Sequence, residues 1–317
     1  MKAILQDRYG SPDLLKLVEV DKPALEDDRV LVRVHASSVN AGDWRQVRAN
    51  PWFIRLIGGL RRPRDPLVGA DAAGVVESAG AAVTDLHPGD EVMGIRSGAF
   101  AEYVCGANFV LKPANLSFEQ AAAVPIAAST ALQALRDHGR VQPGHRVLVN
   151  GAGGGVGTFA VQLARHFGAD VTAVTNTDSL DLVRSLGADR VIDYTREDFT
   201  KAGTYDLILD VGGNRSIGSM RRALTSDGIL VLIAAAQGGF GVLGRIAAAA
   251  VRARLLKQRV NFFVAAVSKE DMNVLKELIE AGKVTPVIDR TYPLDEVPKA
   301  LHRIEQGHAR GKIVITI

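Results

Sequence analysis

The sequence has little cysteine, few aromatic residues and no long apolar run. Its single cysteine, Cys105, cannot form an internal disulfide, and no set of thiolates is present to hold a structural zinc ion. The longest uninterrupted apolar stretch, 229–236, is far shorter than the roughly 18 residues that a membrane-spanning helix needs. No signal-peptide core precedes the polar pair Gln6-Asp7. We therefore expect a cytoplasmic protein without stable membrane insertion.

A strong excess of one charge is also absent. The 38 Lys and Arg residues nearly balance the 35 Asp and Glu residues, so charge does not predict a nucleic-acid partner. An apolar fraction of 47% excludes a disordered chain. A length of 317 residues favours two domains, because single cores stop growing at roughly 250 to 300 residues. The 32 glycines indicate tight turns or close approach of the backbone to a ligand.

The pattern of the chain changes near residue 117. Before it, short apolar runs separated by turn residues predict a mostly β region, with strands at 30–39, 73–78, 91–95 and 101–105. After Ser117, a candidate helix N-cap with Gln120 three residues later, apolar runs alternate with helical stretches. The runs are 146–150, 170–175, 190–193, 207–211, 229–235 and 261–267. This alternation predicts an α/β fold with a doubly wound parallel sheet, followed by two helices and a last strand at 312–317.

A glycine-rich turn joins the strand 146–150 to the helix 158–167. Its residues are Gly151, Ala152, Gly153, Gly154, Gly155, Val156 and Gly157. Glycines let the backbone approach a pyrophosphate, and the helix N-terminus presents free N–H groups and a positive dipole end to it. The turn therefore predicts a Rossmann dinucleotide-binding domain at 123–267, beside a mostly β domain at 1–122 that 268–317 completes.

The residues after the next strand bear on the choice of cofactor. They are Thr175, Asn176 and Thr177, all neutral. An acidic side chain there would bind the ribose hydroxyls and repel a 2′-phosphate. Its absence therefore favours NADP as the cofactor, with NADPH preferred over NADH. NADH stays open, because the stretch holds no Lys or Arg and Asp178 follows it.

Six segments spread over the chain resemble the medium-chain dehydrogenase/reductase superfamily, in its zinc-free, quinone-oxidoreductase-like branch. They are 69–77, 88–92, 127–131, 151–157, 187–194 and 311–314. The resemblance implies a GroES-like catalytic domain beside the Rossmann domain, and a homodimer formed through the strand at 261–267. Zinc-dependent members hold their metal with a cysteine and a histidine where this chain has Asn40 and Ala70, so no metal is expected.

Without a metal, the expected reaction is hydride transfer from NADPH to a small-molecule electrophile, a quinone or an α,β-unsaturated carbonyl compound. Two other functions stay open: an alcohol or aldehyde dehydrogenase, and an NADPH-sensing interaction protein with weak catalysis. The resemblance implies that Asn40 lies beside the nicotinamide, where its amide either donates to the substrate oxygen or satisfies turn backbone. Asp43 is a second catalytic candidate, although capping a helix or organising the domain suits it better. The other cofactor-binding residues implied are Thr130, Tyr194, Val211, Gly212, Ala234, Phe263, Val264 and Lys312, with Tyr194 and Lys312 near the adenosine phosphate.

Substrate choice is expected to depend on the apolar side chains Trp44, Trp52 and Phe53, which otherwise form a minor hydrophobic cluster. Arginines follow them at positions 55, 61, 62 and 64, as a basic rim that attracts anions or as an ordinary solvated face. A second basic stretch, 245–259, predicts a helix that packs on the sheet or touches a membrane surface.

Overall fold

The computed structural model describes residues 1–233, 258–307 and 309–317. The chain forms two compact units. The first consists of Met1–Ala127, Val267–Gly282 and Pro286–Ile317, and the second of Ala128–Ala266 and Lys283–Thr285. The main segment of the first unit ends five residues beyond the predicted border at residue 122. Ala234 and residues 245–257 of the predicted basic stretch lie outside the described residues.

The first unit is built on a seven-stranded sheet. The strand order is β14-β15-β3-β4-β5-β7. Strand β6 pairs with residues 30–33 of β3, whereas β15 pairs with residues 36–39. The pairs are antiparallel except β14–β15, which is parallel. The strands are β3 (Val30–Val39), β4 (Asp71–Ala79), β5 (Glu91–Ile95), β6 (Tyr103–Gly106), β7 (Phe109–Leu111), β14 (Ile288–Pro293) and β15 (Lys312–Thr316), and a separate hairpin-like pair is β1 (Lys2–Leu5) with β2 (Lys16–Glu19).

The helices of the first unit lie around this sheet. The predicted cap at Ser117 is confirmed: Ser117 Oγ accepts from the Gln120 N–H and Gln120 Oε1 accepts from the Ser117 N–H. Buried side chains such as Val32, Val92 and Phe109 fill one hydrophobic cluster of the unit. The helices are Ala41–Arg48, Ile54–Gly58, Phe118–Ala122, Pro125–Gln133 (whose last six residues belong to the second unit), Lys269–Glu280 and Val297–Glu305.

The second unit holds a six-stranded sheet in which every pair is parallel. The strand order β10-β9-β8-β11-β12-β13 is the doubly wound Rossmann order, which confirms the predicted fold class. The strands are β8 (Arg146–Asn150), β9 (Asp170–Thr175), β10 (Arg190–Asp193), β11 (Tyr205–Asp210), β12 (Leu224–Ile233) and β13 (Arg259–Phe263), with helices Gly155–His166, Leu180–Ser185 and Ile217–Arg222. Their apolar runs are buried, as expected for strands with both faces covered.

Several predicted bounds differ from the observed elements; β4 begins at Asp71 rather than at 73, and β12 begins at Leu224 rather than at 229. The helix after the glycine turn begins at Gly155 rather than at 158, so the last turn residues are already helical. Strand β13 ends at Phe263, before the predicted end at 267. Further along, the backbone of Ala266 bonds to a side chain: Gln133 donates to the Ala266 carbonyl and accepts from the Ala266 N–H. In the part of the chain that the structure covers, no helix is both long and apolar enough to span a bilayer.

Candidate active site

The glycine turn lies at the carboxyl end of β8, where the strand order reverses between β8 and β11. Gly151 has φ +87°, a conformation that favours glycine. A Cβ on Gly157 would lie 2.1 Å from the Gly151 carbonyl oxygen, so the start of the helix packs directly on the turn. A Cβ on Gly153 would lie 2.6 Å from Thr175 Oγ1. Packing within the protein therefore requires glycine at these three positions.

Gly154 is different, because the protein itself leaves room for a side chain there. Its backbone is extended, and a Cβ would meet nothing closer than the Gly151 oxygen at 3.5 Å. The helix that follows has no side-chain cap and no acidic residue in its first turn, so its N-terminal N–H groups are open to an anion. Open space outside Gly154 and an uncapped helix start fit the pyrophosphate of a dinucleotide.

Val211 and Gly212 are brought to the same place by the end of β11. Both backbone N–H groups donate to the Asn150 carbonyl at 3.0 Å, and a Cβ on Gly151 would lie 2.9 Å from the Gly212 nitrogen. Asn150 in turn donates from Nδ2 to Asp210 Oδ1 at 2.7 Å. The two strand ends on either side of the reversal point are thus tied together beside the turn.

The stretch 175–177 has no cationic side chain, but the turn that follows the neighbouring strand β10 carries one, Arg196. Asp193 pairs in register with Thr175, and Tyr194 donates its N–H to the Thr175 carbonyl at 3.0 Å. The exposed Arg196 side chain then brings its Nε 3.6 Å from Asp193 Oδ2. The signal in the sequence was the matched end of two successive parallel strands, which places residues after 193 beside those after 175.

Asp193, the acidic residue at the end of β10, already accepts hydrogen bonds from two threonine hydroxyls. Thr177 Oγ1 donates to Asp193 Oδ2 at 2.5 Å, and Thr195 Oγ1 donates to Asp193 Oδ1 at 2.7 Å. These hydrogen bonds hold the pKa of Asp193 below its ordinary value. Asn176 Oδ1, by contrast, is buried without a hydrogen-bond partner within the described ranges. The hydroxyl of Thr177 is committed, whereas the Asn176 Oδ1 acceptor and the exposed Arg196 guanidinium can still meet a ligand.

In the first unit, a buried polar cluster joins the ends of three adjacent strands. Asp71 pairs with Ser38 across β3 and β4, and Lys312 begins β15, one residue before the Ile313–Val39 pair. Lys312 is 3% exposed and Asp71 is fully buried. The Lys312 Nζ donates to Asn40 Oδ1 at 2.6 Å and to the Val39 carbonyl at 3.1 Å, and it lies 3.4 Å from Asp71 Oδ2.

Asp71 is the shared acceptor of this cluster. Its Oδ2 accepts from Asn40 Nδ2 at 2.8 Å and from Ser38 Oγ at 2.6 Å, and its Oδ1 accepts from the Ile126 N–H at 3.0 Å. Sequence reasoning missed Asp71. The available signal was its place directly after Ala70 in the segment 69–77, although the strand predicted there begins only at 73.

Asp43 stands one turn into the helix Ala41–Arg48, and its Oδ2 accepts from the Asn40 N–H at 2.6 Å. Burial raises the pKa of Asp43 to about 7, the nearby Asp71 carboxylate adds to the rise, and the Asn40 N–H and Lys312 oppose it. Burial also lowers the pKa of Lys312, against the pull of Asp71 and Asp43. Asp43 is therefore the N3 residue of a capping box whose N-cap is Asn40, rather than the N-cap itself, and with a pKa of about 7 it is mostly protonated below that pH.

The position of Lys312 differs from the prediction. It was expected near the adenosine phosphate, but its ammonium is buried in the first unit and its hydrogen bonds go to Asn40 and Val39. The register of β15 beside β3 accounts for this, because it sets the start of β15 next to the end of β3. Lys312 therefore has no free ammonium to offer a phosphate.

The residues predicted to line the substrate pocket do not share one environment. Trp44 is partly buried and packs on the hydrophobic cluster that contains Ile4 and Leu301, as the alternative interpretation has it. Trp52 is 53% exposed, and Phe53 is partly buried. Further along, a cavity of about 580 Å³ is lined by Leu5, Gln6, Asp7, Leu60, Arg61, Arg62, Pro63, Arg64 and Pro66. The pocket role of the three aromatic residues stays a prediction.

The remaining predicted cofactor residues lie in the second unit. Thr130 is buried in the helix Pro125–Gln133. Phe263 ends β13, where its ring stacks on His138 with centroids 4.1 Å apart, and Val264 after it is 74% exposed. Cofactor contacts of these residues stay predictions. Among the side chains that the structure describes, no group of three His, Cys, Asp or Glu residues is arranged to hold a metal ion.

Two family models match the chain. One, described as alcohol dehydrogenase GroES-like domain, matches residues 26–114, and the other, described as zinc-binding dehydrogenase, matches residues 186–315. The mitochondrial NAD(P)H oxidoreductase RTN4IP1 of Mus musculus is 34% identical, over 100% of this chain and 89% of its own length. The chloroplastic NADPH-dependent alkenal/one oxidoreductase of Arabidopsis thaliana is 33% identical, over 99% of this chain and 79% of its own length.

A solved structure extends the likeness to three dimensions. The quinone oxidoreductase from Coxiella burnetii is 32% identical and superposes with a TM-score of 0.88, over 100% of this chain and 99% of that one. The fold, the glycine turn and the full-length relatives agree. The chain therefore belongs to the medium-chain dehydrogenase/reductase superfamily and, within it, to the branch of NAD(P)H oxidoreductases that includes the quinone and alkenal/one reductases.

Proposed function

We propose that this NAD(P)H oxidoreductase uses NADPH to reduce quinones or α,β-unsaturated carbonyl compounds, without a metal ion. The observation that carries the proposal is the open space outside Gly154 beside an uncapped helix N-terminus, at the reversal point of a Rossmann sheet. The names of the Arabidopsis and Coxiella relatives support the two substrate classes.

The preference for NADPH rests on the charges at the end of β9 and β10. The Asp193 oxygens already accept from Thr177 and Thr195, so they are not free to bind ribose hydroxyls, and Arg196 lies 3.6 Å from this carboxylate as a counter-charge. Arg196 adds an exposed positive charge. This charge suits a phosphate better than a bare ribose hydroxyl.

The chain's own residues would orient the substrate and stabilise charge on its oxygen. When bound, NADPH would supply a hydride to the electron-poor β-carbon of an enone or ring of a quinone, and the resulting anion would take its proton from water. Negative charge develops on the carbonyl oxygen, where a preorganised N–H donor is most effective. Asn40 is the donor that the first unit offers, since its side chain is partly exposed and held by hydrogen bonds.

Steady-state oxidation of NADPH, followed with a panel of quinones, enones, aldehydes and alcohols, tests the proposal. Turnover of quinones or enones at about 1 per second or faster is expected, since typical enzymes reach that rate. NADPH should give a higher kcat/KM than NADH. Reaction with alcohols or aldehydes alone would indicate a dehydrogenase, and tight NADPH binding without any turnover would indicate a sensor; either result would overturn the proposal.

We further propose that the protein acts as a homodimer through the edge of the second unit's sheet. Strand β13 is the last strand on its side of the described sheet, and Phe262 and Val264 on and after it are exposed. An unpaired edge with apolar side chains is a pairing surface. Sedimentation should give twice the chain mass, and a monomer at micromolar concentration would contradict this.

A further inference from the structure

The buried pair of Lys312 and Asp71 is not explained by stability. Removing two charges from water costs several kcal/mol per ion, and apolar side chains of similar size are often at least as stabilising. Both side chains nevertheless lie in the interior of the first unit. The Asp71 carboxylate accepts hydrogen bonds from Ser38, Asn40, the Ile126 N–H and Lys312. A buried ion pair of this kind is best understood by what it holds in place.

The pair holds the Asn40 carboxamide, because Lys312 binds its oxygen and Asp71 binds its nitrogen. Lys312 Nζ donates to Asn40 Oδ1 at 2.6 Å, and Asn40 Nδ2 donates to Asp71 Oδ2 at 2.8 Å. Turning the amide over would set its NH2 group against the ammonium and its oxygen against the carboxylate. Both contacts would then be repulsive, so the pair permits one orientation of the amide only.

This orientation leaves one N–H of Asn40 for another acceptor. The Nδ2 atom carries two hydrogens, and Asp71 takes one of them. Within the described parts of the chain, the other reaches only the Ser38 carbonyl, 3.5 Å away, which is at the outer limit for a hydrogen bond. The amide oxygen, in contrast, is already bound to Lys312. The cluster therefore offers an N–H donor and withholds the acceptor.

We propose that Lys312 and Asp71 are positioning residues that lock the Asn40 carboxamide so that its free N–H donates to the substrate oxygen on which negative charge develops. The inference rests on the proposed function, and it adds the specificity that follows: a substrate must present an oxygen acceptor conjugated with the carbon that receives the hydride. An alkene without a conjugated carbonyl would not meet this requirement.

The experiment is a double-mutant cycle of Lys312→Met and Asn40→Ala, measured on NADPH turnover with an enone. Loss of an oxyanion donor costs about 100-fold to 1,000-fold in kcat. We expect Lys312→Met to lower kcat at least 10-fold with the dissociation constant of NADPH unchanged within 2-fold. In the Asn40→Ala background, the same change should lower kcat less than 3-fold, because Lys312 acts through Asn40. Independent, multiplicative losses would overturn the proposal.

A second measurement does not depend on turnover. The two Nδ2 hydrogens of Asn40, assigned by their loss in Asn40→Asp, should give separate proton–nitrogen NMR signals that shift in Lys312→Met and in Asp71→Asn. The exposed Lys299→Met, also in the first unit, is the control and should leave them in place. Unmoved Asn40 signals in both cluster variants would overturn the proposal. Wild-type protein that binds NADPH but reduces no electrophile would instead overturn the proposed function.

Discussion

Replacing Asp43 with asparagine should change how the stability of the first unit depends on pH. Asp43 is buried, and its carboxyl lies close to Asp71 and Lys312 while it accepts the Asn40 N–H. Because Lys312 already pairs with Asp71, an ionised Asp43 would add a buried charge without a partner of its own. The substituted carboxamide would keep an oxygen for the Asn40 N–H and lose the ionisable proton, so the Asp43→Asn variant isolates that proton.

The sign follows from the pKa of Asp43 in the two states. Burial raises it from the ordinary value of 3.8 to about 7 in the folded protein. Between those values the folded state holds a proton that the unfolded state has lost, so the free energy of unfolding falls as pH rises and levels off above about 7. The slope approaches 1.4 kcal/mol per pH unit, which amounts to at most about 3 kcal/mol between pH 5 and pH 8.

Tryptophan fluorescence during urea unfolding is a suitable assay, because both tryptophans of the sequence, Trp44 and Trp52, lie in the first unit. The signal then follows that unit even if the two units unfold separately. Unfolding free energies of wild type and Asp43→Asn are compared at pH 5, 6, 7 and 8. The free energy of unfolding of the variant, relative to that of the wild type, should rise by up to about 3 kcal/mol from pH 5 to pH 8.

The comparison removes background titrations that the two proteins share. One is His35, whose pKa is lowered by burial and whose contribution makes stability rise with pH. Asp21→Asn makes the same substitution at an exposed site in the same unit. It should keep the wild-type slope of unfolding free energy against pH. If Asp43→Asn and wild type show parallel stability curves from pH 5 to pH 8, Asp43 does not hold a proton in the folded state, and the charge balance argued for the cluster is wrong.

Three further outcomes are expected. Gly154→Asp should weaken NADPH binding at least 100-fold in calorimetry, because it puts a negative side chain into the space outside the turn, whereas Gly218→Asp, at another open glycine of the second unit, should leave binding unchanged. Arg196→Gln should raise the KM for NADPH about 10-fold with little effect on NADH, while the exposed Arg184→Gln should affect neither; equal effects on both cofactors would exclude a 2′-phosphate contact. Dialysis against a chelator should leave turnover intact, and loss of activity in proportion to the metal removed would show that a metal takes part.

The fold was accessible from the sequence because its main signals are local. Parallel strands that are covered on both faces read as uninterrupted apolar runs, and 146–150, 170–175 and 190–193 match β8, β9 and β10 residue for residue. Strand β13 was predicted too long, since the segment after it is also apolar and the side chain that holds it, Gln133, comes from a helix more than a hundred residues earlier. No local pattern carries that information.

The site was only partly accessible, for a related reason. The glycine turn is one contiguous segment whose chemistry is written in its residue types. Arg196 was missed because its relation to Thr175 depends on the register of two strands. Asp71 was missed because the predicted strand begins two residues later, so its pairing with Ser38 was not visible in the sequence. Lys312 was assigned to the cofactor by resemblance alone, and the pairing of β15 with β3 gives its ammonium another partner.

The same pairing gives the polar cluster a property that no contiguous motif has. Asn40 and Lys312 are 272 positions apart, and they meet because β15 returns to lie beside β3. The orientation of the amide therefore depends on the sheet being fully formed. A truncation or strand slip at the end of the chain would leave the Rossmann sheet intact and still release Asn40. Damage to β15 is thus expected to remove turnover before it removes NADPH binding, because binding and the fixed donor depend on different units.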